Sequence, residues 1–245
     1  MKTLALETSG RVGSVAVADR SRVLAEESFP HGFQHAAGLL PLIDRLTRGV
    51  GWRPADVECV AVSVGPGSFT GLRIGVTAAK TIAFATGAKI VAVPTARVLL
   101  ANAPADAREV IIVLDAKRGQ IFTARFTRTI GNNAAVSDWT ESEPEHLDTL
   151  AAVLARGGRP VHLIGEGLPY HAEAVASAAG REGVIVTPDV LWQARAAAVA
   201  TLAVPIAAAG DFADPFRLAP VYVRRPEPEE KRLAAEAAAK AQLAP

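Results

Sequence analysis

The residues of this chain best placed to do chemistry fall into three groups. The densest is Gly65-Pro66-Gly67-Ser68-Phe69-Thr70-Gly71-Leu72-Arg73-Ile74-Gly75. Where a strand runs into a helix, glycines this closely spaced leave backbone N–H groups open at the helix N-terminus, and such a turn can seat an anion. They also let a helix pack tightly on a sheet, and the residues alone favour neither use. The segment departs from both common nucleotide fingerprints. A P-loop carries Lys and then Ser or Thr after its last glycine, whereas Gly71 is followed by Leu72-Arg73, and the dinucleotide motif has two residues before its third glycine where this has three. Gly71, Gly75, Ala78 and Ala79 leave one helix surface shallow, which predicts a close helix-helix contact that could join two chains.

The second group is a pair of acids, Glu7 and Asp115, each ending an apolar strand at a turn of small residues. On facing walls of a cleft they could hold a hydrated Mg²⁺ on ATP, the work carboxylates do in phosphoryl transfer. Acids at strand ends also cap turns, and that reading stays open. The third group is weaker. His31 and His35 lie four apart, but no Glu follows His31, Gly32 intervenes and no third ligand is near in sequence, so no metal site is expected. Ser68 lacks the glycine spacing of a nucleophile elbow. The single cysteine, Cys59, excludes an internal disulfide and a cysteine-rich metal site, fits a reducing compartment, and reads as a buried small hydrophobe.

These residues need elements to hold them. Thr3–Leu6, Ser14–Ala18 and Val23–Glu26 read as a three-stranded meander. Apolar residues at Ala36, Leu39, Leu40, Ile43 and Leu46 predict a helix from Gln34 to about Arg48. Val57–Val64 reads as a strand buried on both faces, which delivers the chain to the glycine loop and a helix from Thr70 to about Ala85. Ile90–Val93 follows as a strand, and Thr95 is expected to cap the next helix. The pattern then recurs: Val110–Leu114, Asp115 and the returning strand Gln120–Phe126 repeat the opening, with Asp115 standing 108 residues after Glu7. Leu147–Leu154, Val161–Ile164 and Ala172–Ala179 continue the second half. Two similar α/β lobes are implied, one over residues 1–104 and one over 105–224, with ligands expected at the strand-end loops between them. Ala196–Ala209 reads as one or two packed helices, and Pro220–Arg224 as a last short strand.

Composition narrows the class. The chain has 245 residues, 50% hydrophobic and 21% charged, with 26 Lys plus Arg against 25 Asp plus Glu. A net charge of +1 neither demands nor excludes a polyanionic partner. No apolar stretch is long enough to span a bilayer, and the start lacks a signal-peptide core, so a cytoplasmic protein with no membrane partner is expected. Residues 225–245, charged and then alanine-rich, read as a solvated tail.

Taken together, Leu4-Ala5-Leu6-Glu7-Thr8-Ser9, the Gly65–Gly75 segment, Asp115-Ala116-Lys117-Arg118-Gly119 and Pro220-Val221-Tyr222-Val223-Arg224 resemble the TsaB (YeaZ) family over nearly all of residues 1–224. The resemblance implies a two-lobed, duplicated actin-like ATPase fold of the ribonuclease H-like kind. It implies a part in forming threonylcarbamoyladenosine on tRNA, as a non-catalytic scaffold that binds and activates the transferase TsaD. TsaE, the ATPase, joins them, and tRNA is met through the complex. No catalytic residue and no metal are expected in this chain. No cofactor is required, with room for ATP or ADP in the complex.

The partner surface implied by the resemblance lies on the first two helices: His35, Leu39, Leu42, Thr70, Leu72, Arg73, Val76, Thr77 and Lys80, with the apolar members at its centre and Arg73 and Lys80 at its rim. Alone, the chain would pair with itself through that surface. A vestigial nucleotide cleft would comprise Glu7, Ser9, Gly65, Gly67, Ser68, Asp115, Gly165 and Gly167. Two departures stand out: Glu7 replaces the family's usual Asp, and Gln120 stands where an acid commonly follows the glycine. His31 and His35 precede the glycine loop, whereas the metal-binding histidines of TsaD follow it. An ATP-dependent small-molecule kinase or hydrolase of the same fold is the alternative. A protease of the partner is a third reading, and no nucleophile-base pair in the sequence supports it.

Overall fold

The computed structural model describes residues 1–30, 34–128, 139–158, 160–179, 183–223 and 232. Strands β1 (Lys2–Glu7), β2 (Val12–Asp19) and β3 (Arg22–Pro30) form the expected meander, followed by α1 (Gln34–Gly49), β4 (Cys59–Ser63), α2 (Phe69–Thr86), β5 (Lys89–Val93) and α3 (Thr95–Leu100). The second half runs β6 (Glu109–Asp115), β7 (Ile121–Arg128), β8 (Trp139–Asp148), α4 (Leu150–Ala155), β9 (Val161–Ile164), α5 (Ala172–Ala179), β10 (Val184–Val186) and α6 (Ala196–Ala208). One sheet has the order β3-β2-β1-β4-β5 and the other, read from the same end, β8-β7-β6-β9-β10. In both, the first three strands in sequence are antiparallel and the remaining two run parallel to the first. The identical order and directions establish a duplicated, actin-like α/β fold.

Burial explains the local choices. All five residues of β4 are buried, which is why its sequence is a continuous apolar run rather than an alternating one. Helix α2 buries Leu72, Val76, Ala79 and Ala83 along one face and ends at Gly87, whose φ of 77° is the left-handed cap glycine adopts without steric cost. Leu39, Leu42, Ile43 and Leu46 of α1 join Val76, Ala79 and Ala83 in a core on the outer face of the first sheet. The outer face of the second sheet carries its own core with α4 and α5. The largest core lies between the sheets, where Ala5, Val91, Ile112 and Phe126 meet α3 and α6.

Residues 196–208 make a single helix, one of the two readings left open, and it packs on β1 to β5 of the first sheet although sequence order attaches it to the second. Residues 213–222 likewise return to the first lobe: Ala213 donates to Ile90 O at 2.9 Å and Val221 to Val64 O at 2.7 Å. The segment 220–222 is not a strand, because that single bond is not continued into a ladder; Arg224 lies outside the described residues. Thr95 does not cap α3. Pro94 holds the cap position, the Thr95 amide donates to Gly65 O at 2.8 Å, and its hydroxyl is buried without a partner among the described residues. Two strands unmarked in the sequence also appear: β8, an edge strand too charged to show alternation, and the three-residue β10.

Candidate functional site

The glycine loop is filled by the chain itself. The Ser68 amide donates to Ser9 O at 2.7 Å, and the Ser68 hydroxyl caps α2 by accepting from the Gly71 amide at 3.2 Å. A Cβ on Gly67 would stand 2.4 Å from Ser9 O, one on Gly71 2.0 Å from Thr8 O, and one on Gly75 2.2 Å from Thr8 Oγ1. Gly65 is closed from the other side by Val221 O, 2.6 Å from where its Cβ would be. The loop is therefore a packing device that seats α2 on the residues leaving β1. The shallow face is divided: Gly71 and Gly75 receive the Thr8 backbone and hydroxyl, while Ala78 and Ala79 pack in the core that α1 shares. One donor that an anion seat would use, the Ser68 amide, is spent on Ser9 O.

At the end of β1, Glu7 is fully buried. Its Oε1 accepts from the Ser9 amide at 2.6 Å and from the Ser9 hydroxyl at 2.5 Å. Its Oε2 is buried without a hydrogen-bond partner among the described residues. Burial pushes its carboxyl above the ordinary 4.5, with the Ser9 donors and the Ser63 hydroxyl pulling the other way.

Across the cleft, Asp115 ends β6, as Glu7 ends β1. Burial acts to raise it, but the Lys117 ammonium at 2.6 Å, the Lys117 amide at 3.0 Å and His171 outweigh burial and hold it below its usual range. Gly165 and Gly167 grip the same strand end: a Cβ on Gly165 would stand 2.2 Å from Val113 O, and one on Gly167 2.7 Å from the Asp115 amide. Among the described residues no hydrogen bond or ion pair joins Glu7 to Asp115.

The residue the sequence reading missed is Glu166, between those two glycines. Its Oε2 accepts from the Arg11 amide of the first lobe at 2.6 Å. Burial and the nearby Glu7 raise its carboxyl above the usual value, while the Arg11 amide and charge pull it down. Arg11 and Glu166 line a cavity of about 420 Å³ together with Trp192 and Gln193. The Tyr170 ring is met by two cations, Arg11 at 5.3 Å and Lys117 at 4.9 Å from its centre. The Gly165-Glu166-Gly167 sequence offered one signal, an acid held between two close-packed glycines.

The expected partner surface is redistributed. Leu39, Leu42, Leu72 and Val76 are between 1% and 3% exposed, locked in the first-lobe core, so they cannot form the apolar centre of an interface. Arg73 stacks over Phe69 and donates to Tyr222 Oη, and Lys80 donates to Leu218 O, so the segment 214–222 already engages both cations. Thr70 and Thr77 are exposed as expected. Of His35 only its position in α1 is described, and His31 lies outside the described residues. Among the described residues, the large exposed apolar groups on these helices are Leu40, Phe69 and Phe84. Among the described residues no group of three or more metal-ligating side chains converges, and no helix is long and apolar enough to cross a membrane.

Comparison with known proteins agrees with this architecture. Residues 32–213 match the family model described as TsaD, tRNA N6-adenosine threonylcarbamoyltransferase. The chain is 29% identical over 195 residues to the tRNA threonylcarbamoyladenosine biosynthesis protein TsaB of Bacillus subtilis, covering 76% of this chain and 80% of that one. It is 30% identical over 131 residues to TsaB of Escherichia coli, covering 52% of this chain and 56% of the relative. The solved structure of YeaZ from Pseudomonas aeruginosa superposes with a TM-score of 0.73 at 24% identity, over 90% of this chain and 99% of that chain. The chain belongs to the family that the threonylcarbamoyltransferase model describes and, within it, to the TsaB (YeaZ) group.

Proposed function

We propose that this chain is a non-catalytic scaffold of the machinery that forms threonylcarbamoyladenosine on tRNA, and that it binds and activates a TsaD-type transferase. The observation that carries this reading is internal occupancy. Ser9, Thr8 and Val221 fill the glycine loop, Lys117 ties up Asp115, and Glu166 crosses the cleft, so the groups a phosphoryl-transfer enzyme would direct at its substrate are directed at the chain itself. The names of the curated relatives support the pathway. TsaE joins the complex, tRNA is reached through it, and the chain alone pairs as a homodimer in the cytoplasm. The chain itself requires no cofactor, and a nucleotide would bind only in the complex.

The surface we assign to TsaD is the exposed side of α1 and α2, with Leu40 and Phe84 as anchors and Thr70 and Thr77 between them. Co-elution with the cognate TsaD, mass-resolved by light scattering and followed by ATPase assay, tests the reading. A mixed complex with no ATP turnover by this chain alone is expected. ATP turnover by the isolated chain that Glu7→Ala abolishes, without association, would establish the kinase or hydrolase reading instead.

A further inference from the structure

The loop between β9 and α5 is built to aim one carboxylate across the cleft. Gly165 and Gly167 sit against Val113 O and the Asp115 amide with no room for side chains, which pins both flanks of Glu166 to the end of β6. The Gly167 amide also donates to Val113 O at 2.9 Å. From this fixed base Glu166 reaches the turn between β1 and β2 in the other lobe. There its Oε2 accepts from the Arg11 amide at 2.6 Å. Gly10 makes room for the carboxylate: a Cβ at that position would lie 2.7 Å from Oε1 and 2.9 Å from Oε2. Oε1 itself is buried and has no hydrogen-bond partner among the described residues.

A backbone N–H in a glycine-containing turn is a ready partner for any oxyanion. Here the oxyanion is covalently part of the chain. Close enough to act on it by charge, Glu7 is fully buried, and the Ser63 hydroxyl is a donor acting on the Glu7 carboxyl beside those of Ser9. The cations Arg11 and Lys117, one from each lobe, both lie within 5.3 Å of the Tyr170 ring centre.

We propose that Glu166 is a built-in anion that occupies an interlobe oxyanion seat at the Gly10-Arg11 turn, latching the two lobes together and excluding external phosphate-type oxyanions from that seat. An external anion competes with a group whose effective concentration is set by covalent attachment, and wild-type protein in free solution does not take it up. The proposal concerns the isolated chain and stands whether or not the chain binds TsaD.

Two readouts on Glu166→Ala and Glu166→Gln, each first checked by its thermal unfolding, test it. In hydrogen exchange, the Arg11 amide of Glu166→Ala should exchange roughly tenfold faster or more than in wild type, while the Ser68 amide, bonded to Ser9 O within the first lobe, stays unchanged. In calorimetric titration with inorganic pyrophosphate, wild type should show no binding up to about 10 mM, and Glu166→Ala should bind with a dissociation constant of about 1 mM. Glu166→Gln, which keeps the shape but not the charge, should fall between them in exchange rate. An Arg11 amide no faster in Glu166→Ala, pyrophosphate bound equally by wild type, or no pyrophosphate bound by Glu166→Ala once its amide is freed would each overturn the proposal.

Discussion

Tyr222 accepts a hydrogen bond from Arg73 Nε at 3.0 Å across 149 positions of sequence, and the same guanidinium lies 3.9 Å from the centre of the Phe69 ring. The segment that ends the described chain is thereby fastened along α2, with Lys80 holding Leu218 O further down the helix. Replacing Tyr222 by Ala removes one hydrogen bond and two ring contacts, with Phe69 and with Arg73, at a half-exposed site, a loss of about 1 kcal/mol. The expected signature is local: faster hydrogen exchange at the Val221 amide, which bonds Val64 O, with little change in the amides of β4.

The glycine loop gives a sharper prediction. A methyl group on Gly71 would fall 2.0 Å from the Thr8 carbonyl oxygen, a backbone atom that cannot swing away. Gly71→Ala should destabilise the chain by about 1–3 kcal/mol through overpacking. For a chain of this length that lowers the melting temperature by roughly 2–4 °C per kcal/mol, readable by calorimetry. A loop held open for a ligand would tolerate the same substitution without loss of stability.

Leu72 and Phe84 separate core from surface on one helix. Leu72 is 1% exposed and Phe84 84%. Leu72→Ala should cost about 2–5 kcal/mol as a core cavity. Phe84→Ser should leave stability within about 0.5 kcal/mol and weaken association with TsaD, measured by titration calorimetry.

Glu7 sets a pH dependence. Its carboxyl is raised above 4.5 by burial, so the folded state favours the protonated form. The stabilisation this confers is complete below the unfolded value and is lost as pH climbs from 4.5 through the raised folded value. Glu7→Gln, which cannot ionise, should therefore melt higher than wild type at pH 8, with the difference shrinking on acidification toward pH 4.5. Melting curves across that range check the sign, and a difference that grew on acidification would contradict it.

Arg125 is 4% exposed and bonds Glu109, Glu143, Val153 O and Arg156 O, tying β6, β7 and β8 to the end of α4. Arg125→Ala leaves two carboxylates without their shared cation and should cost about 3–5 kcal/mol, seen as a lower urea midpoint.

Much of the architecture was written locally. The apolar run of β4, the helical spacing of Leu39, Ile43 and Leu46, and the strand-acid-turn-strand pattern at Glu7 and again at Asp115 are each contained within a few residues, so periodicity and turn chemistry reveal them without the rest of the chain, although the same spacing put the exposed Leu40 on the apolar face. The duplicated fold followed from that repeat. What those residues touch was not legible, because a contact between distant positions leaves no local trace. Gly71 and Gly75 look alike whether they face an anion, a neighbouring helix or Thr8, and Leu72 looks alike in a core or an interface. Only the folded chain decided that α6 and residues 213–222 return to the first lobe, that Val221 closes the glycine loop, and that Glu166, unremarkable in sequence, meets Arg11 across the cleft. The physical reason is range: secondary structure is chosen by neighbours within a few residues, whereas the site is made where two lobes, independently specified, come into contact.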